Sequence, residues 1–284
     1  MTAVTARLVP RRDMTYQHGP ARQFAADVWV LVRRSIRRIS REPEMLADVT
    51  VMPVIFILMF AYVFGGAIIL PGRGSYHEYL IGGMLGMGLA QTAPGVAIAL
   101  VSDMSTGLID RFRSLPMSRW AVLTARTLAE LLKQGISAIV VTCVGLAIGW
   151  RVHTGVRDVA AAFALALAFG YAFTWAGVCL GLALRSPEAA GQTGFIVFLP
   201  LMFVSNAFVP TQGMARWLQP IAEWNPMSAL ASACRHLFGN PDPATGVHAW
   251  PMQHPELAVG CWAAGMLAVF APLAVHLYRR KANG

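Results

Sequence analysis

Seven His and four Cys are the residues of this 284-residue chain best suited to metal or nucleophilic chemistry, and their spacing assembles neither. Cys143, Cys179, Cys234 and Cys261 lie far apart, three of them inside apolar runs, with no C-x-x-C or Cys/His ligand spacing. They read as small apolar packing residues, not as zinc ligands or a disulfide framework. His236, His248 and His254 fall near one another but match no metal motif. The sequence contains no G-x-x-x-x-G-K-S/T, no H-E-x-x-H and no G-x-S-x-G. It therefore has no phosphate-cradling loop, zincin pair or hydrolase elbow, and no catalytic, cofactor-binding or metal-binding residue is expected.

Docking is the chemistry that the spacing does support. The segment 103–116 is charged, with Asp103, Asp110, Arg111 and Arg113, yet Leu108, Phe112 and Leu115 recur in it at helical spacings. A short surface helix with that stripe can insert Phe112 and Leu115 into a partner's groove. Upstream, Phe24, Val28, Leu31, Val32, Ile36 and Ile39 form one face of a helix over 24–41. Arg33, Arg34, Arg37, Arg38 and Arg41 form the opposite face. Such a helix lies in the headgroup layer, its apolar side in the acyl boundary and its guanidinium side on anionic lipid. A third group, Trp217, Pro220, Trp224 and Pro226, combines Trp and Pro with few charges. It reads as short helical pieces dipping into the outer membrane interface, the depth that Trp favours.

The elements that must position these groups follow from composition. The chain is 56% hydrophobic and 13% charged, against roughly 25% charged residues in a soluble domain, so lipid is the natural solvent for much of its surface. A bilayer core takes about 20 apolar residues in a helix. Stretches free of Asp, Glu, Lys and Arg run over 49–72, 79–102, 134–150, 159–184, 189–215 and 257–278. The third is short, and its helix is expected to begin near Val122, with Arg126, Glu130 and Lys133 pairing along one face near the interface. The expected fold is an all-α integral membrane protein with six transmembrane helices and an N-terminal amphipathic interfacial helix. It divides into a cytoplasmic tail (1–23), the interfacial helix (24–41), a six-helix domain (45–278) and a short cytoplasmic tail (279–284). The six-helix domain includes a loop over 102–119 and an outer interfacial segment over 209–256.

With both termini in the cytoplasm, seventeen of the 23 basic residues fall on the cytoplasmic side and five outside, the bias that orients membrane proteins. Lys occurs only at Lys133 and Lys281; with abundant Ala and Gly this points to a bacterial, GC-rich source and a plasma-membrane protein. The bases cluster between apolar runs and are not interleaved with aromatics on one soluble face, which argues against nucleic acid as a partner. Gly82 and Gly86 stand at G-x-x-x-G spacing and suggest close helix packing. Ser186, Pro187 and Glu188 form a tight turn that caps the helix after it.

An ion-coupled transporter would place ionisable groups near the bilayer midplane, and none is expected there in the six runs. Only softer groups are available: Gln91, Thr92, Thr174, Gln192, Thr193, Ser205 and Asn206. A membrane enzyme would need convergent titratable groups, which are missing; a membrane scaffold remains the bland alternative. Met52, Phe56, Met59, Phe60, Met84, Met87, Phe195, Phe198, Met202 and Phe203 are candidates to line a path for an amphipathic molecule, without any being assigned as substrate-binding.

The layout and the loop Gly107-Leu108-Ile109-Asp110-Arg111-Phe112-Arg113-Ser114-Leu115-Pro116-Met117-Ser118-Arg119 resemble the membrane subunit of ABC-2-type exporters, particularly the daunorubicin-resistance type of drug-efflux permease. Trp217-Leu218-Gln219-Pro220 followed by Asn225-Pro226-Met227-Ser228 is a second match. Asp103 and Ser105 stand where broader members have a Glu-x-Glu-like start. The resemblance implies that the loop is a coupling helix on a separate ATP-binding subunit, present in two copies and holding ATP and Mg. It also implies an interfacial elbow at 24–41 and a second permease, identical or related, facing this one. The implied function is export of a hydrophobic or amphipathic drug or lipid-like molecule. Sister families that export polysaccharides or lipids share the layout.

Overall fold

In the computed structural model, residues 43–68, 70, 75–105, 119–242 and 249–283 are described, and every element among them is helical. Helix α1 (Pro43–Leu58) runs on into a π-helical turn over Met59–Phe64. Helices α2 (Tyr76–Ala90) and α3 (Thr92–Ser105) are two pieces of one rod, broken at Gln91. There follow α4 (Arg119–Ala147), α5 (Val156–Ala183) and α6 (Pro187–Phe203). After a 3-10 turn at Thr211–Gly213 come α7 (Gln219–Glu223), α8 (Pro226–Phe238), α9 (Trp250–Gln253) and α10 (Pro255–Asn283).

Four stretches among the described residues are long and apolar enough to cross a membrane: Tyr76–Ser105, Thr127–Ala147, Val156–Ala183 and Pro255–Arg280. At about 1.5 Å per residue each spans the hydrocarbon core of about 30 Å. Two of the six apolar runs give shorter helices. The first is helical only to Phe64, where the π turn ends. The fifth ends at Phe203, just past Pro200, which supplies no N–H to the helix ladder.

Local chemistry sets several ends. Ser186 caps α6, its Oγ accepting from the Ala189 N–H at 3.2 Å, with Pro187 in the first turn. The break at Gln91 follows from Pro94, which cannot donate to the carbonyl of Ala90. Thr92 there donates its hydroxyl to Leu89 O at 2.7 Å.

Helix α5 is the centre of the bundle, packing against α2, α3, α4, α8 and α10. Its closest approach is to α3: a Cβ at Gly177 would lie 2.3 Å from Ala93 O. The largest core cluster gathers Tyr79, Leu80, Met84, Phe169, Phe173, Leu230 and Phe238 from α2, α5 and α8. By contrast α6 turns Phe195, Ile196, Val197, Leu199 and Phe203 outward, and α1 exposes Val51, Met52, Ile55 and Leu58. Exposed apolar faces of this extent suit lipid or another membrane helix.

Candidate functional site

The sequence points first to segment 103–116. Asp103 lies half-buried in the last turn of α3. Gly107, Leu108, Asp110, Arg111, Phe112, Arg113, Leu115 and Pro116 lie outside the described residues, as do Arg33, Arg34, Arg37 and Arg38. Helices α3 and α4 bracket the loop on either side. Trp217 and Trp224 are 72% and 57% exposed, and Ile221 beside them is 55% exposed. Pro220 is exposed on α7, while Pro226 is half-buried in the first turn of α8. The proposed path residues divide. Phe60, Met84, Met87 and Met202 are buried in the core, whereas Met52, Phe195 and Phe203 face out.

The densest polar geometry lies elsewhere, where α8 meets α2 and the turn that follows α6. Arg235, one of the five bases counted outside, is not a solvated loop residue but a fully buried one in α8. It sits near the end of α8, which runs antiparallel to α2: Leu230 touches the site of Gly86, and Arg235 that of Gly82, one turn nearer the start of α2. The small-residue face expected to pack closely therefore packs on α8, and Gly83 on Ala207.

Burial of this guanidinium is tolerable because carbonyls surround it. Its Nε donates to Tyr79 O at 2.8 Å, and Nη2 donates to Asn206 O at 2.8 Å and Ala207 O at 3.2 Å. The Tyr79 ring lies beneath it, 3.6 Å from the guanidinium carbon, an arrangement that adds cation–π attraction. Tyr79 also donates its hydroxyl to Asn206 O, and Tyr76 donates to Phe208 O at 3.1 Å. Asp242 approaches Arg235 Nη1 to 3.8 Å, an ion pair without a hydrogen bond. This end of α8 is closed as well. Gly239 adopts the left-handed conformation (φ 69°) that ends helices, His153 N donates to Phe238 O at 2.9 Å, and Thr154 Oγ1 to Leu237 O at 2.6 Å. A readable signal existed for this helix: Asn225-Pro226 at its start and Gly239 just beyond its end.

Asn225 stitches the two sides together. Its Oδ1 accepts from Met227 N at 2.8 Å, capping α8, while Nδ2 donates to Leu201 O at 2.7 Å and to Val204 O at the end of α6. Asn225→Ala removes the cap and both carbonyl donors at once, and is expected to lower stability by about 2 kcal/mol. Thermal melting of the purified protein in detergent checks this; an unchanged midpoint would show the stitch to be dispensable.

This arrangement cross-links helices and contains no nucleophile–base pair. Among the described residues no group of three His, Cys, Asp or Glu side chains is placed to hold a metal ion. The chain matches the family model of the ABC-2 type transporter over residues 26–238. It is 33% identical over 281 residues to the daunorubicin resistance ABC transporter permease protein DrrB1 of Streptomyces coeruleorubidus, covering 99% of this chain and 95% of that one. The probable doxorubicin resistance ABC transporter permease protein DrrC of Mycobacterium tuberculosis is 27% identical over 285 residues, covering 99% and 98%. A putative transport permease of Cyanophora paradoxa, ycf38, is 23% identical over 223 residues, covering 76% of each.

Proposed function

The chain belongs to the ABC-2 type transporter family, and from that membership we propose that it is the membrane-spanning permease subunit of an ATP-driven drug exporter. The observation that carries this reading is the match, along nearly the whole of both chains, to a daunorubicin resistance permease. The apolar bundle supports it, since long helices around a packed centre can form a membrane path. This sequence has no phosphate-cradling loop, so in this reading ATP and Mg belong on a separate ATP-binding subunit, which family membership implies is present twice. A second permease, identical or related, completes the path.

In this reading α1 with its π turn and α6 are two further spans, making six. Both termini lie on the cytoplasmic face of the bacterial plasma membrane, following the bias of basic residues. The segment 103–116 docks on the ATP-binding subunit. Arg33, Arg34, Arg37 and Arg38 hold an interfacial helix on anionic lipid. Trp217, Ile221 and Trp224, exposed as they are, anchor the opposite end at the outer interface.

The test is ATPase activity in membranes holding this chain with and without its candidate ATP-binding subunit, titrated with daunorubicin and with lipids. Activity that needs both chains and responds to the drug supports the reading; a response to lipid alone moves the cargo to that class. Two chains that neither associate nor alter each other's activity would refute it. Phe112→Ala is expected to reduce co-purification of the ATP-binding subunit about tenfold, the loss typical of an aromatic anchor, while membrane insertion is unchanged. Undiminished co-purification removes Phe112 from the contact.

A further inference from the structure

Gln134 is fully buried in α4, where it joins three helices. Its Nε2 donates to Thr92 Oγ1 at the start of α3 (2.8 Å) and to Thr174 Oγ1 in α5 (3.0 Å). Neither hydroxyl hydrogen is free to bond back. Thr92 donates to Leu89 O, and Thr174 donates to Gly170 O at 3.0 Å. Each hydroxyl can only accept from the amide, so the network dictates which way the amide faces. Its Oε1 then points away from both and makes no hydrogen bond. Gly170 makes room for it, since a Cβ there would stand 2.7 Å from Oε1.

The place of this knot gives it a use. Thr92 opens α3 immediately after the break at Gln91, and Pro94 keeps that break open. From the knot to Ser105 along α3, and to Arg119 along α4, the distance is about 20 Å on each helix at 1.5 Å rise per residue. The two helices that bracket segment 106–118 are thus tied at equal height. Yet they barely touch each other: α3 packs mainly on α5 and α6, and α4 on α1, α2 and α5. The amide is thus a direct tie between two helices otherwise joined mainly through their shared neighbours α5 and α2.

We propose that Gln134 is a positioning residue for transport. It pins α4 to the α2–α3 break and to α5, so that a push on segment 106–118 swings α3 and α4 as one lever about that point. A hinge of this kind couples a displacement at one end to the packing at the other. This role rests on the permease reading and on the docking of 103–116 proposed above.

The experiment reconstitutes the full chain with its ATP-binding subunit in liposomes and measures daunorubicin moved per ATP hydrolysed. Gln134→Leu fills the same volume without the two donors. The expected result is a fall of about tenfold in drug moved per ATP, within the range of a coupling interaction. Subunit association, melting temperature and ATP hydrolysis should stay near the wild-type values. Adding Thr92→Val to Gln134→Leu should cause little further loss, because the residues act as one unit. Wild-type drug per ATP in Gln134→Leu overturns the proposal. So does a loss that merely follows a lower melting temperature and lower hydrolysis, as a purely structural role would give. If Gln134→Leu fails to assemble, Thr92→Val and Thr174→Val decide the matter, and wild-type coupling in both overturns it. A wild-type complex with no partner-dependent hydrolysis or no drug movement refutes the permease reading instead, and this role falls with it.

Discussion

Replacing Arg235 with methionine should destabilise the protein by about 3–5 kcal/mol, as removing one partner of a buried charged network does. Methionine keeps most of the volume, so the loss reports the hydrogen bonds and not a cavity. Three carbonyls lose guanidinium donors, at Tyr79, Asn206 and Ala207, and the face of the Tyr79 ring loses its cation. Arg235→Lys should recover little, since a single ammonium cannot reach acceptors on α2 and on the 206–207 turn at the same time. Asp242→Asn is the contrast. That carboxylate stands 3.8 Å away and makes no hydrogen bond to the guanidinium, so its loss breaks no donor–acceptor pair and should cost only about 1 kcal/mol. The measurement is the apparent melting midpoint in detergent, read as the monodisperse fraction after heating. A drop of roughly 10 °C for Arg235→Met is expected for a chain of this size. If Arg235→Met melts with the wild type while Asp242→Asn does not, the ion pair and not the carbonyl cage holds α8.

Arg235 also marks the limit of what the sequence discloses. Long apolar runs are legible because lipid offers backbone groups no partner, so the chain must be helical wherever it is apolar for long enough. That logic locates α2–α3, α4, α5 and α10 to within a few residues, the start of α4 at Arg119 included. It fails for α8, whose Ser228, Ser232, Arg235 and His236 look like loop chemistry in a window of hydropathy. Their partners are distant in sequence: Ser228 and Ser232 meet Asn206, and Arg235 meets Tyr79. A polar residue is readable as buried only once its acceptors are known, and those come from the fold. The glycine face of α2 shows the same asymmetry. Gly82 and Gly86 announced close packing, but nothing in their spacing named α8 as the neighbour. The segment proposed to dock differs again, because its stripe is clear in sequence while Gly107 through Pro116 lie outside the described residues.

Gly83→Ala should be the most damaging single added methyl group among the described glycines. A Cβ there would lie 2.0 Å from Ala207 O and 2.6 Å from Ala207 C and Cα. All three are backbone atoms, so no side chain can swing aside, and α2 must retreat from the turn that follows α6. That turn presents the Asn206 and Ala207 carbonyls to Arg235, so the retreat weakens the guanidinium cage as well. Overpacking of this kind costs about 3 kcal/mol or more, which outweighs the gain of about 1 kcal/mol in helix propensity on going from Gly to Ala. Gly135→Ala supplies the control, because nothing stands within 4 Å of a Cβ at that position in α4; it should melt at or slightly above the wild-type temperature. The two substitutions share one propensity term and differ only in contact, so the gap between their midpoints measures the contact. The double variant Gly83→Ala with Arg235→Met should fall short of the sum of the single losses, because both break the same junction. Strict additivity would mean that α2 meets the 206–207 turn and α8 through separate contacts, and that Arg235 does not join them.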